Sequence, residues 1–433
     1  MQLGVRLSLF SVRCYNEPPK PADLEVNMNF GLSEEHVMVQ DLVSDFAQRE
    51  IAPKARENDI NEYWDKDIVK RMGELGLLGA PIPEEYGGSG MDYHSLAIIC
   101  EELERAETAF RVVMSVHVAL NSLTLLQWGN EDQKQRYLIP QARGEKLATF
   151  ALTEPGHGSD AANIETTARR EGDYYVLNGQ KTWISLADKA DHFLLFATLD
   201  RSKGYKGITA FILERGFEGL STSTIHGKLG VRAGNTGQIF LDNVRVPIEN
   251  RLGEEGEGFK IAMSAIDQGR LTVAAGAVGL ARACLEASLK YCHEREAFGQ
   301  EIGKFQLVQQ MIANMQLGID TAKLLVHRAA WLKNHGIRST RETSMAKWYA
   351  CNVALKAAED AIEIHGANGY SNEFPVERYW RNARGAVIYE GTREIHTLIQ
   401  AEYALGYRKD HPLRCPQPPV KGYDPSSFPS RHL

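Results

Sequence analysis

Cysteine is scarce and unpaired in this sequence. Six residues, Cys14, Cys100, Cys284, Cys292, Cys351 and Cys415, are spread over 433 positions, with no CxxC pair. That argues against a disulfide framework or a zinc knuckle and fits a reducing compartment. A basic excess is missing too. Lys and Arg number 49 against 56 Asp and Glu, a net charge of −7, so the footprint of a dedicated nucleic-acid binder is absent. No run reaches the ~18 uninterrupted apolar residues of a membrane span. No alternating βαβ pattern and no short repeat is visible, which argues against a Rossmann core and a solenoid. The glycines of HGANGY (365–370) do not rescue a dinucleotide fold, because they follow a helical pattern instead of a strand. What is present is ordinary globular composition, 43% hydrophobic and 24% charged, in a chain long enough for two or three packed units.

The texture changes twice along the chain. From Ser33 to about Gly129 apolar residues recur at helical spacing, and Ser33 before Glu34 and Glu35 sets a hydroxyl cap and acids at a helix start. Between about Ala148 and Pro247 come short segments rich in β-branched and aromatic residues, such as HFLLFATL and GITAFILE, bounded by Gly and Asp or Asn. These read as an antiparallel β-domain. From Phe259 to Leu405 the helical pattern returns, with one long helix closed by Gly366. The expected division is an extension over 1–27, a helical domain over 28–147, a β-domain over 148–250, a helical bundle over 251–407 and a tail over 408–433. The first sixteen residues carry Arg6 and Arg13 and no acid, the composition of a mitochondrial transit peptide. An upstream extension ahead of Met28 is the alternative. A bacterial cytoplasm is the expected location, or the mitochondrial matrix if the segment is a transit peptide. The tail is rich in Pro, Ser and charge, so it reads as extended or disordered.

A few stretches offer chemistry. The loop LTEPGHGSD (152–160) can present backbone N–H groups and hydroxyls to a flavin edge or a phosphate, or can be an ordinary entry loop of the β-domain. In KTWIS (181–185) an indole stands beside a hydroxyl, and a buried strand Trp is the plain alternative. YEGTREIH (389–396) sets Glu390 beside the flexible Gly391, or is simply a helix start. His365 and His396 lack ligand-spaced partners, so no metal site is expected.

Taken together and in order, PEEYGGSG, LTEPGHGSD, NGQKTWIS, the VRAGNTGQIFLDNVRVP run, LGEEGEGF, HEREAFGQ with FQLVQQ, EIHGANGY and YEGTREIH resemble the acyl-CoA dehydrogenase family. The likeness covers about Phe30 to Leu405. It implies an α+β fold with a helical N-domain, a middle β-domain and a C-terminal four-helix bundle. It also implies FAD, an acyl-CoA substrate, an electron-transferring flavoprotein as electron acceptor, and a homotetramer. Neither nucleic acid nor membrane is an expected partner.

By the same resemblance Glu390 is the base that removes the pro-R α-proton while a β-hydride passes to the flavin. The thioester oxygen is held by the flavin ribityl 2′-hydroxyl and the backbone N–H of Glu390. Donors of this kind can be worth roughly 3–4 kcal/mol each in a dry site. Phe150, Leu152, Thr153 and Ser159 are implied to line the flavin, with Trp183 and Ser185 over its ring. Arg295, Phe298 and Gln306 are implied to reach the cofactor of a neighbouring subunit, with Gly366 and Gly369 also near it. Thr392 and Glu394 meet the adenosine half. Asp267, Arg270 and Gly391 stand near the CoA and thioester. Ser185 replaces a more usual Thr, while Glu363 and Glu394 stand where many members carry Gln.

The acyl end is marked by Glu104, Arg111 and Ser115, which match an acid–Arg–Ser register in glutaryl-CoA dehydrogenases. An Arg in an apolar pocket calls for an anion, either a carboxylate on the substrate or Glu104 itself. Where that branch has Ser after its Arg, this chain has Val112 and then Val113. The expected substrate is therefore a carboxylated acyl-CoA of glutaryl or benzylsuccinyl type. The alternatives are a short or branched acyl-CoA, or a non-catalytic flavin- or CoA-binding relative.

Overall fold

The computed structural model describes residues 31–423. The candidate targeting segment over 1–27 lies outside them. The N-terminal third is helical: α1 (Glu34–Phe46), α2 (Ala52–Ile60), α3 (Lys66–Glu74), α4 (Tyr93–Ala106), α5 (Thr108–Val113) and α6 (Leu123–Trp128), then the short α7 (Glu131–Gln133) and α8 (Ile139–Ala142). Local chemistry sets several starts. The Ser33 hydroxyl accepts from the His36 N–H, and Asp92 accepts from the Ser95 N–H. Glu107, at φ −159°, ends α4 and caps α5 through the Ala109 N–H. Between α5 and α6, Met114–Ser122 widens into a π-helical stretch, a form often found at functional sites.

The middle domain is a sheet of β1 (Ala148–Ala151), β2 (Thr167–Glu171), β3 (Tyr174–Ser185), β4 (His192–Thr198), β5 (Ile208–Glu214), β6 (Leu220–Thr224), β7 (Thr236–Pro247) and β8 (Arg251–Leu252). The order is β6-β7-β3-β2-β4-β5-β8, with β1 beside β4. Most pairs are antiparallel as expected, but the sheet is mixed, because β1 and β2 both pair with β4 in parallel. The sequence of β4 explains its central place. All seven residues are buried. Phe193, Leu195 and Ala197 enter the core of the β-domain, while Leu194 and Phe196 enter the helical core. A strand buried on both faces reads as a continuous apolar run.

The C-terminal part holds α9 (Gly258–Glu294), a small hairpin of β9 (Glu296–Ala297) and β10 (Gln300–Glu301), α10 (Gln306–Asn334), α11 (Thr340–His365), α12 (Val376–Ala386) and α13 (Arg393–Ala404). The central helix α9 packs on α4, α10 and α11. Two helical stretches, Thr108–Trp128 and Gly258–Glu294, are long and apolar enough to cross a bilayer, but their apolar windows are 94% and 83% buried inside the fold. Their apolarity is accounted for by the core.

The tail to residue 423 has no helix or strand, yet it is not loose. Arg414 pairs with Glu257, the Val420 N–H donates to Asn334 O, and the Tyr423 hydroxyl donates to Asp92. Leu413, Cys415 and Val420 also pack on the helical core, so polar anchors and a few apolar contacts together hold the segment. His36, Asp92 and His94 form the one cluster among the described residues with ligand atoms close enough for a cation. The junction is already filled: the Asn334 amide donates to Asp92 Oδ2 (2.9 Å) and faces His94 Nδ1 (3.0 Å), and the Tyr93 N–H on Asn334 Oδ1 fixes that orientation.

Candidate active site

Glu390 sits in the turn between α12 and α13 with φ +53°, followed by Gly391 at +103°. Left-handed backbone is unusual for a side chain as large as Glu and marks a constrained loop. Thr392 then caps α13 through the Ile395 N–H. Part of Glu390 is exposed, but its Oε2 is sealed and has no hydrogen-bond partner. Desolvation pushes the carboxyl up to about 7, against the opposing pull of Arg111, Lys347 and Arg270. Room for the carboxylate comes from Gly269 on α9, where a Cβ would lie 2.2 Å from Glu390 Oε2. Arg270 points its Nε at Glu390 O (3.4 Å) and pairs with Asp267 at 3.0 Å. Asp267, Arg270, Glu390 and Gly391 are thus brought together.

The second cluster is sealed. Arg111 is 1% exposed, and it forms a buried ion pair with Glu104 through Nε. Its Nη1 donates to Ser115 Oγ (3.1 Å) and its Nη2 to the Tyr389 hydroxyl (2.5 Å). Ser115 in turn lies 2.7 Å from Thr272 Oγ1, whose own proton goes to Gly269 O. Glu104 also accepts from Thr108. The internal partner for Arg111 is therefore Glu104, one of the two readings its sequence context allowed. Three of the five guanidinium N–H groups are used, and two have no partner among the described residues. Gly276 admits the pair, since a Cβ there would lie 2.0 Å from Glu104 Oε2.

A third group gathers where β1 and β3 end. The Thr182 N–H donates to Thr153 O (3.0 Å), and the Thr149 hydroxyl donates to Ser185 O (2.6 Å). This places Phe150, Leu152 and Thr153 beside Trp183 and Ser185. The buried Lys181 ammonium holds Leu152 O and Glu154. Trp183 is 62% exposed at φ +58°, so the buried strand indole is set aside. Ser159 is exposed in the glycine loop. A fourth group stands at one end of the C-terminal helices. Arg295, Phe298 and Gln306 are exposed, and Gly366 and Gly369 join them where Tyr291 stacks on His365 and bonds Asn368. Glu363 and Glu394 are exposed. His365 and His396 are both buried and hydrogen-bonded to protein.

The comparisons decide the family. The description "Acyl-CoA dehydrogenase, N-terminal domain" matches residues 33–145, the middle domain 149–244 and the C-terminal domain 256–405. The chain belongs to the acyl-CoA dehydrogenase family. It is 42% identical over 372 residues to a short-chain specific acyl-CoA dehydrogenase of Clostridium acetobutylicum, covering 86% of this chain and 98% of the relative. It is 43% identical over 387 residues to a glutaryl-CoA dehydrogenase of Desulfococcus multivorans, covering 88% and 99%. A solved glutaryl-CoA dehydrogenase in complex with glutaryl-CoA superposes with a TM-score of 0.85 at 42% identity, over 88% of this chain and 98% of that one.

This acyl-CoA dehydrogenase is accordingly an oxidoreductase of the CH–CH bond with FAD as its cofactor. Its residues fit that group. The Trp183 indole and the Phe298 ring, 62% and 96% exposed, are large aromatic surfaces that the chain itself leaves uncovered. Gly156, Gly158 and Gly366 open onto free space where even a Cβ would meet nothing. Thr272, Gly269 and Gly276, which meet Ser115, Glu390 and the Glu104–Arg111 pair, were not marked by the motifs, and Tyr389 was marked only as the first residue of YEGTREIH, without its contact to Arg111. A Gly-rich stretch inside a long apolar helix, DQGRLTVAAGAVG, was the available signal.

Proposed function

We propose that this acyl-CoA dehydrogenase oxidises a short acyl-CoA bearing a distal carboxylate to its 2-enoyl-CoA, with electrons leaving to an electron-transferring flavoprotein. The observation that supports the reaction is Glu390: a carboxyl whose Oε2 is buried without a hydrogen-bond partner, on a constrained turn, with its pKa raised to about 7. A carboxylate so raised is a stronger base than an ordinary Glu near neutral pH. It takes the α-proton at Oε2. Its own backbone N–H serves the thioester oxygen and stabilises the charge that develops there. Bound FAD supplies the acceptor for the β-hydride. Arg270 and Asp267 fix the backbone side of the turn from α9. Trp183 and Ser185 close the ring side, and Thr153 faces the flavin edge. The homotetramer, in which Arg295, Phe298 and Gln306 serve a neighbour's cofactor, belongs to the same reading, supported by their exposure.

The carboxylate preference rests on Arg111. A guanidinium sealed in a pocket costs several kcal/mol of desolvation even after pairing. Two of its N–H groups have no partner among the described residues, which a substrate carboxylate would supply. Glutaryl-CoA and benzylsuccinyl-CoA both bring such a group. One observation favours a second reading, a short or branched acyl-CoA with no carboxylate: Glu104 already neutralises Arg111. Anaerobic titration of the holoenzyme with glutaryl-, benzylsuccinyl-, butyryl- and isobutyryl-CoA separates them. Bleaching of the flavin by one of the first two alone supports the carboxylate reading. Bleaching by butyryl- or isobutyryl-CoA at equal or lower concentration supports the second. An oxidised flavin with all four would refute both.

A further inference from the structure

Two successive carbonyls in the base turn are held by cations from different helices. Arg270 of α9 approaches Glu390 O, and Lys347 of α11 donates to Gly391 O at 2.7 Å. Lys347 is 1% exposed, and Gly391 O is its one hydrogen-bond partner among the described residues. Burying an ammonium for a single carbonyl is expensive, so its placement calls for a reason. The turn supplies one. Glu390 and Gly391 both have positive φ, and residues in such regions persist only where the surroundings over-determine them. His396 packs beneath, its Nε2 3.1 Å from where a Cβ on Gly391 would stand, with Nδ1 engaged by Ser344. We propose that Lys347 is a positioning residue for the catalytic base: its hydrogen bond to Gly391 O fixes the peptide after Glu390 and so holds the carboxylate and its backbone N–H on the substrate.

The proposal rests on the reading of Glu390 as the base. The ionisable surroundings of Lys347 are Cys351 on α11, Arg270 on α9, Arg111 on α5, Glu390 in the turn and His396 on α13. Lys347 makes no other hydrogen bond among the described residues, so loss of this one acts through the turn alone. The Glu390 carboxylate and N–H act most on the charge that develops in the enolate, so the effect falls mainly on proton abstraction and little on substrate affinity. A misplacement of about 1 Å at a reacting group costs on the order of 100-fold in rate.

The test uses FAD-loaded protein and a 3-thia-acyl-CoA, whose β-sulfur cannot surrender hydride. Deuterium uptake at C2 in D2O then reports the base alone. Lys347→Met is expected to keep FAD and the Kd of the analogue within about threefold while exchange slows about 100-fold, and Lys347→Gln, which retains a donor without the charge, to stay within about tenfold of the parent. Parental exchange in Lys347→Met overturns the proposal, and so does equal slowing in both variants, which would assign the effect to charge or volume. If Lys347→Met does not retain FAD, Lys347→Gln decides: exchange within about tenfold upholds the hydrogen bond, and slowing of about 100-fold overturns it. Glu390→Gln in the same series separates the two levels. Normal exchange in that variant sinks the base assignment itself, while a dead Glu390→Gln beside a parental Lys347→Met sinks only the positioning role.

Discussion

Replacing Glu390 with Gln tests the base and its environment in one protein. Burial raises this carboxyl from 4.5 to about 7, which corresponds to about 3 kcal/mol of differential stability between its two protonation states. Because part of the residue is exposed, solvent screening makes that an upper figure. The sign follows from the direction. Between 4.5 and about 7 the folded protein binds more protons at this site than the unfolded chain, so stability falls as pH rises through that window. A carboxamide has no charge to desolvate at any pH. Glu390→Gln should therefore match the parent at pH 4 and exceed it at pH 8 by up to about 3 kcal/mol. Urea unfolding at both values, with FAD and protein concentrations held fixed, reads the difference. The same variant should hold FAD but fail to reduce it with acyl-CoA, while the parent's kcat/KM should rise with pH through about 7. A stability difference that does not change between pH 4 and pH 8, or a Gln variant that still reduces flavin, would refute the reasoning.

Other parts of the site make separate demands. Arg111→Met should cost about 3–5 kcal/mol by stranding Glu104, and Glu104→Met should cost a similar amount, while the double variant recovers most of it. Denaturant melts check this, and the acyl-CoA titration should show the Arg111 variants losing preference for carboxylated substrates. Gly276→Ala forces a methyl against the Glu104–Arg111 pair and should destabilise by roughly 1–3 kcal/mol, measured by the same melts. Deleting the residues after Asp410 removes the Arg414–Glu257 pair and the Tyr423 contact. The half-exposed Arg414–Glu257 pair is worth about 1 kcal/mol or less, but the Gln417 bonds to Gln268 and Lys333 O and the packing of Leu413, Cys415 and Val420 on the core go with it, so thermal unfolding should come clearly earlier.

Much of this protein was legible before folding. Helix, sheet and helix follow from periodicity, because burial on one face leaves its spacing in the chain. The Ser33 cap and the positive-φ end at Gly366 are local devices that their own residues specify. Glu104, Arg111 and Ser115 lie close together in the chain, at the end of α4, in α5 and in the π-helical stretch that follows, so their register shows in the spacing alone. The parallel pairing of β1 and β2 with β4 was not legible, because an apolar run such as HFLLFAT is compatible with either direction.

The sequence by itself determined the order helices, sheet, helices and the short-range register of Glu104, Arg111 and Ser115. Tertiary structure alone decided that Arg111 meets Tyr389, 278 residues away, that Lys347 holds Gly391 across 44 residues, and that Gly269 and Gly276 open α9 for two carboxylates. It also decided that the Trp183 indole stays outside the core. The reason is physical. A cap or a periodic face acts over a few residues of chain, whereas desolvation, ion pairing and close backbone approach depend on distances that exist only once separate helices have packed.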